Sequence, residues 1–147
     1  MGSTYHCLYY HWVCSTKHRR ALIRPQWRNR FHQYLGGTVR GLQGVLLEAG
    51  GVEDHVHLLL SLKPTHRISD FIRELKKASS IWASCQHDPT FGWQDGYSIF
   101  TVGPLGLDDV KRYIATQETH HQKLSFKDEL KNLLEQHGIE YKEEYLE

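Results

Sequence analysis

The chain has 147 residues, 39% hydrophobic and 24% charged, with a formal net charge of +1, enough for one domain that buries roughly two-thirds of its unfolded surface without disulfide or metal support. Its three cysteines, Cys7, Cys14 and Cys85, show no C-x-x-C spacing, which argues against a disulfide framework or a cysteine zinc site and suits a reducing cytoplasm. No apolar run approaches the roughly 18 residues of a membrane span and Met1–His6 lacks signal-peptide character, so the expectation is a soluble cytoplasmic protein with no membrane partner and a single domain over residues 1–147.

In chain order, Cys7–Ser15 mixes β-formers and aromatics and reads as a strand. A basic turn follows, and charge is unevenly spread: residues 1–50 sum to +6 and residues 126–147 to −4. Lys17, Arg19, Arg20, Arg24, Arg28 and Arg30 carry most of the basic part. Such a patch attracts polyanions even on a neutral chain, although a solvated loop and helix face would look the same. Pro25 sits where a helix can start, and Trp27, Phe31, Tyr34, Leu35, Val39 and Leu42 recur at helical spacing. Val45–Ala49 reads as a second strand, Gly50-Gly51 as a tight turn, and Val52–Leu62 as a third strand in an antiparallel hairpin. A second helix is expected from Ile68 to Gln86, ended by His87-Asp88-Pro89, and then a strand over Tyr97–Val102. Leu107 opens a third helix with Asp108 and Asp109 at its positive end, and Phe126–His137 is a short terminal helix stopped by Gly138. The first six elements, β-α-β-β-α-β, spell an α+β, ferredoxin-like split βαβ fold. That fold is a four-stranded antiparallel sheet with helices on one face. The other face is left for a site or a partner, and the C-terminal helix is surplus to the core.

Two clusters of residues can carry chemistry. On the third strand, alternation sends Val56, Leu58 and Leu60 one way, and His55, His57, Glu53 and Leu59 the other. Two imidazoles roughly 7 Å apart on one face can converge on a cation; the same pattern also suits two polar residues on a solvated face. On the third helix, Gln117 and His121 continue the stripe of Leu107, Val110 and Ile114, with Tyr113 one turn before Gln117. A buried amide needs a partner. A metal held by His55 and His57 would satisfy its oxygen and set the Tyr113 hydroxyl beside a cation. An ordinary amphipathic helix with a boundary tyrosine is the plainer alternative.

H-hydrophobe-H on a strand followed by Tyr-x-x-x-Gln on a helix resembles the single-tyrosine HUH transposases of small bacterial insertion sequences and the related REP-associated tyrosine transposases. The likeness extends to Ser15-Thr16-Lys17-His18-Arg19-Arg20, Gly51–Leu59, Phe71–Lys76, Trp93–Tyr97 and Tyr113–His121, and so to nearly the whole chain. It implies that His55, His57 and Gln117 hold a divalent metal, Mg2+ or Mn2+, against the scissile phosphate of single-stranded DNA. It also implies that Tyr113 attacks that phosphate to give a 5′-phosphotyrosine and a free 3′-hydroxyl, and that a second strand's 3′-hydroxyl resolves the adduct. Imidazole ligands by themselves suit manganese better than magnesium. The same resemblance implies a homodimer in which the tyrosine helix serves either subunit, and DNA hairpins at element ends as partners. Lys17, Arg19, Arg20, Arg24, Arg73, Lys76 and Lys77 are the candidate phosphate contacts. Gly103-Pro104-Leu105-Gly106, before the tyrosine helix, departs from the polar linker of the family.

Two other functions fit parts of the pattern. A domesticated hairpin-binding protein would keep the DNA surface without mobilising an element. A small metallohydrolase would use His55, His57 and Glu53 or Asp54, leaving Tyr113 and Gln117 without a role.

Overall fold

A computed structural model of the chain describes residues 2–121 and 123–146. Met1, Gln122 and Glu147, which fall inside the expected domain, lie outside the described residues. The elements come in the expected order: β1 (Tyr9–Ser15), α1 (Pro25–Gly41), β2 (Val45–Gly51), β3 (His55–Ser61), α2 (Ile68–Gln86), β4 (Ser98–Val102), α3 (Leu107–Ala115), α4 (Gln117–His121) and α5 (Phe126–Gln136). The strands form one antiparallel sheet in the order β2-β3-β1-β4, the split βαβ arrangement.

Strand alternation sorts the core into two layers. Trp12 and Cys14 of β1 and Val56, Leu58 and Leu60 of β3 meet Trp27, Phe31, Leu35 and Val39 of α1 and Phe71, Ile72 and Leu75 of α2. Each of these large side chains contributes about 1.5–3 kcal/mol by leaving water. Phe31 sits among Trp82, Phe91 and Trp93, with ring centroids 5.4–6.0 Å away, so these tryptophans serve packing. His32, on α1, has a buried Nε2 with no partner. Burial first, and Arg28 second, push its pKa down to about 4. The unfolded chain therefore takes up a proton that the native protein refuses as pH falls from about 6.5 to 4, and stability is lost across that window. The expected result is that His32→Leu loses Tm less steeply than the parent between pH 7 and 4, by the equivalent of about 1–2 kcal/mol. Parallel slopes in a thermal melt series would refute it.

The second face, the one left for a site or a partner, also carries a layer of its own. The C-terminal helices fold back over it: Val13 of β1 and Phe100 of β4 pack with Phe126, Leu130, Leu133 and Leu134 of α5. The apolar stripe of α5, capped by Ser125 through Asp128 N–H, needed an apolar partner, and Val13 and Phe100 supply one.

The hairpin departs from expectation. Gly50 and Gly51 belong to β2, the turn is Val52–Asp54, and β3 begins at His55. The reason is packing. A Cβ on Gly50 would stand 2.0 Å from the carbonyl oxygen of Ile114, so the glycine admits the backbone of α3 against β2. The expected third helix is broken in two at Thr116, whose φ of −108° and ψ of 26° leave the helical region. This break separates Tyr113 on α3 from Gln117 and His121 on α4.

Candidate active site

The register of β1 on β3 sets Ser15 opposite His55, Val13 opposite His57 and His11 opposite Leu59, all facing the second layer. His55 and His57 are fully buried, with ring centroids 5.1 Å apart. Each is tethered through Nδ1. His55 Nδ1 donates to Asp54 Oδ1 at 2.7 Å, and His57 Nδ1 lies 2.7 Å from His11 Nε2. Burial, then the neighbouring His57, pushes His11 down to about 3, so it is a neutral ring able to accept the His57 proton. Holding the far nitrogen in this way fixes tautomer and ring angle and frees the near one as a ligand. Both Nε2 atoms accordingly face the same space.

The close approach at Gly50 sets α3 across the sheet. The Tyr113 ring stands 5.8 Å from His57 and 6.1 Å from His11, centroid to centroid. On α4, Gln117 is buried and its amide N–H donates to the Tyr113 carbonyl at 3.3 Å. That turns its Oε1 to His55 Nε2 at 3.1 Å and to His121 Nε2 at 3.1 Å. The residues singled out by spacing, His55, His57, Tyr113 and Gln117, are thus brought together, with His121 among them.

The structure adds two residues that sequence reasoning missed. Glu129 of α5 puts Oε1 3.0 Å from His57 Nε2, 3.0 Å from His121 Nε2 and 3.3 Å from His55 Nε2, and its Oε2 accepts the Tyr113 hydroxyl. A signal existed: an acid at this position lies on the apolar stripe of Phe126, Leu130 and Leu133, where a solvated carboxylate does not belong. His11 is the other, an imidazole inside an aromatic strand. Charge at the site follows from these contacts. Burial drives His57 down to about 4. Burial acts the same way on His55, but Asp54 and Glu129 outweigh it and raise the ring to about 9. Burial alone would raise Glu129; hydrogen bonds from His121, His55 and His57 hold it well below the usual carboxylate range. Burial and the adjacent Glu129 charge push the Tyr113 phenol above its ordinary value. His55, His121 and Glu129 offer ligand atoms all within 4.8 Å of one another, and imidazole nitrogens with carboxylate and amide oxygens are a donor set that a divalent transition metal accepts.

A profile of the family described as Transposase IS200 like matches residues 4–117. The chain belongs to the IS200-like transposase family. It is 29% identical over 119 residues to the ISDra2 transposase TnpA of Deinococcus radiodurans, covering 75% of this chain and 84% of that protein. The crystal structure of a candidate transposase from Deinococcus radiodurans R1 superposes with a TM-score of 0.62 at 26% identity, covering 78% of this chain and 94% of the other. A REP-associated tyrosine transposase bound to a REP hairpin shares the fold, with a TM-score of 0.61 at 14% identity, covering 84% of this chain and 76% of that one. As an IS200-like transposase, the protein is a DNA-processing enzyme.

The acidic residues weighed for a metallohydrolase are otherwise engaged in this family member. Glu53, in the turn, pairs with Arg28 at 3.1 Å, and Asp54 holds the far nitrogen of His55, so neither joins the histidine cluster as a third ligand. Arg28, buried, also reaches Glu118 at 3.2 Å and the Ile23 carbonyl, tying α1 to α4. Lys17, Arg19 and Arg20 lie on the turn beside the His55 end of the sheet, where Thr16 N–H donates to the Asp54 carbonyl at 2.8 Å, and Arg24 is exposed just beyond. Arg73, Lys76 and Lys77 are on α2, in the layer across the sheet from the histidines. Arg73 pairs with Asp70 at 3.0 Å, and Lys76 donates to the carbonyls of Gln94 and Gly96 at 2.6 and 3.1 Å. Among the described residues no helix is long and apolar enough to cross a membrane.

Proposed function

We propose that this transposase cleaves and rejoins single-stranded DNA through Tyr113 after recognising hairpins at the ends of its element, working as a cytoplasmic homodimer of single-domain chains. One observation carries the reading: His55 Nε2 meets Gln117 Oε1, and His55 Nε2, His57 Nε2 and the Tyr113 hydroxyl all meet the Glu129 carboxylate on the sheet's second face. His55, His57 and Gln117 would hold a divalent cation there, Mg2+ or Mn2+, the imidazoles favouring Mn2+. When bound, such a cation stabilises charge developing on the phosphoryl oxygens and orients the scissile phosphate.

The chain's own residues do the rest. Asp54 and His11 hold the two imidazoles in position through their Nδ1 atoms. The Tyr113 oxygen attacks phosphorus, the bond to the 3′-oxygen breaks, and the 5′-phosphate stays on the tyrosine while a 3′-hydroxyl departs. Attack by a second 3′-hydroxyl reverses the exchange. The number of phosphodiester-type bonds is unchanged at each step, so no external energy source is needed, and a covalent intermediate divides one hard step into two. Because burial and the Glu129 charge hold the Tyr113 pKa above its ordinary value, the phenol needs positive charge brought beside it before it can act near neutral pH. Lys17, Arg19, Arg20 and Arg24, at the edge nearest His55, would take phosphates leading to the site. Arg73, Lys76 and Lys77 would take those of a strand passing the opposite layer, Lys76 while still holding its loop carbonyls. A similarly folded protein bound to a REP hairpin supports a hairpin as the partner.

The test is to incubate the protein with a pool of hairpin-bearing single-stranded DNA and Mn2+, with and without EDTA, and to run a denaturing gel. A slow protein–DNA band that EDTA abolishes, with the DNA joined through its 5′ phosphate, is the expected outcome. Hairpin binding with no covalent band across the pool would turn the assignment to a domesticated binder. Neither binding nor adduct would sink it.

A further inference from the structure

Glu129 does more in this geometry than line the site. Its Oε1 faces three imidazole nitrogens at 3.0–3.3 Å, whereas a carboxylate oxygen offers about two good lone-pair directions. Gln117 Oε1 faces two of the same nitrogens at 3.1 Å each. The Nε2 atoms of His55 and His121, each 3.0–3.3 Å from both Glu129 Oε1 and Gln117 Oε1, match the edges of a coordination shell: bonds of roughly 2.1 Å at right angles put neighbouring ligand atoms about 3 Å apart.

We propose that His121 and Glu129 join His55 and Gln117 as ligands of one divalent cation, so that the cation clamps α4 and α5 onto the sheet. The inference rests on the reading of the site as a cation site. It extends that reading to two residues that follow Gln117, where the match to the family profile ends. Glu129 comes from a helix whose other buried residues, Phe126, Leu130, Leu133 and Leu134, already pack on Val13 and Phe100, so its carboxylate arrives preplaced. With a second imidazole and a carboxylate beside His55, the shell selects Mn2+ or a later first-row ion over Mg2+.

The test uses the full-length chain and Mn2+ alone, with binding read by isothermal titration calorimetry and native folding of each variant checked by circular dichroism. The parent should bind one Mn2+ per chain. Glu129→Gln and His121→Ala should each weaken Kd at least ~10-fold, while Asp128→Asn, an exposed acid on the same helix, should leave it unchanged. Mn2+ should also raise the Tm of the parent more than that of either variant. If Glu129→Gln fails to fold, His121→Ala decides. Parent-like or tighter Mn2+ binding in the folded variants would overturn the ligand assignment, and would mean that Glu129 fills the site in place of a cation. An absence of binding by the parent would instead bring down the cation site on which the assignment stands.

Discussion

Tyr113→Phe is expected to abolish the covalent protein–DNA band, a fall of at least ~1000-fold in adduct formation, while hairpin binding stays within about threefold of the parent. The two effects separate because the substitution removes one oxygen from a pre-built cluster. The ring keeps its place beside His57 and His11. The backbone of α3 still rests on Gly50, and the basic turn at Lys17–Arg20 is untouched. What is lost besides the nucleophile is the hydrogen bond to Glu129 Oε2, worth about 1 kcal/mol or somewhat more because its partner is charged, so Tm should fall by only a few degrees. Calorimetric melting, gel-shift binding and the denaturing gel on one preparation measure all three. An adduct that persists in the Phe variant would mean that another residue is the nucleophile, and would remove Tyr113 from the mechanism.

Gly50→Val is expected to be the most damaging single change outside the site. The first atom added at this position meets the Ile114 carbonyl oxygen at 2.0 Å and its carbon at 2.9 Å. Both are backbone atoms that cannot rotate aside. Helix α3 must retreat, and the cost should reach the upper end of the 1–3 kcal/mol typical of overpacking or exceed it. Displacing Tyr113 by roughly 1 Å from its attack position costs about 100-fold in rate, so adduct formation should drop at least that far. The first layer should survive. Trp12, Trp27, Trp82 and Trp93 all belong to the core between the sheet and α1–α2, so tryptophan fluorescence should remain native while the histidine cluster opens. This pattern is a sharp test of the arrangement in which one chain supplies both the histidines and the tyrosine. Undiminished adduct formation and Tm in the Val variant would mean that α3 does not rest on its own β2 in the working enzyme.

The period-2 and period-3.6 patterns in this sequence carry a good deal. Alternation in β3 is enough to put His55 and His57 together on the face away from Val56, Leu58 and Leu60. Helical spacing is enough to align Tyr113 with Gln117 and to put Gln117 on a buried stripe. Such patterns report direction within an element, and direction is set by local backbone geometry. The element order gave the split βαβ topology for the same reason, since short connections between alternating helices and strands leave few ways to close a sheet.

What the tertiary structure alone decided concerns residues with no local relation to one another. Gly50 looked like half of a turn; it is a contact point for Ile114 of α3, on a helix far along the chain, and nothing within its own strand encodes that. Glu53 looked like a histidine neighbour until the turn shifted and Arg28 took it. His11 became the tether of His57 only through the pairing of β1 with β3. Glu129 stands 72 residues from His57 in the chain, and it reaches the centre of the site because the apolar face of α5 had to be buried and Val13 and Phe100 offered the place. The sequence by itself determined which side chains each element presents to the site. Long-range packing decided which elements meet there, because that depends on burying apolar faces from distant segments together, and no local spacing records the partner.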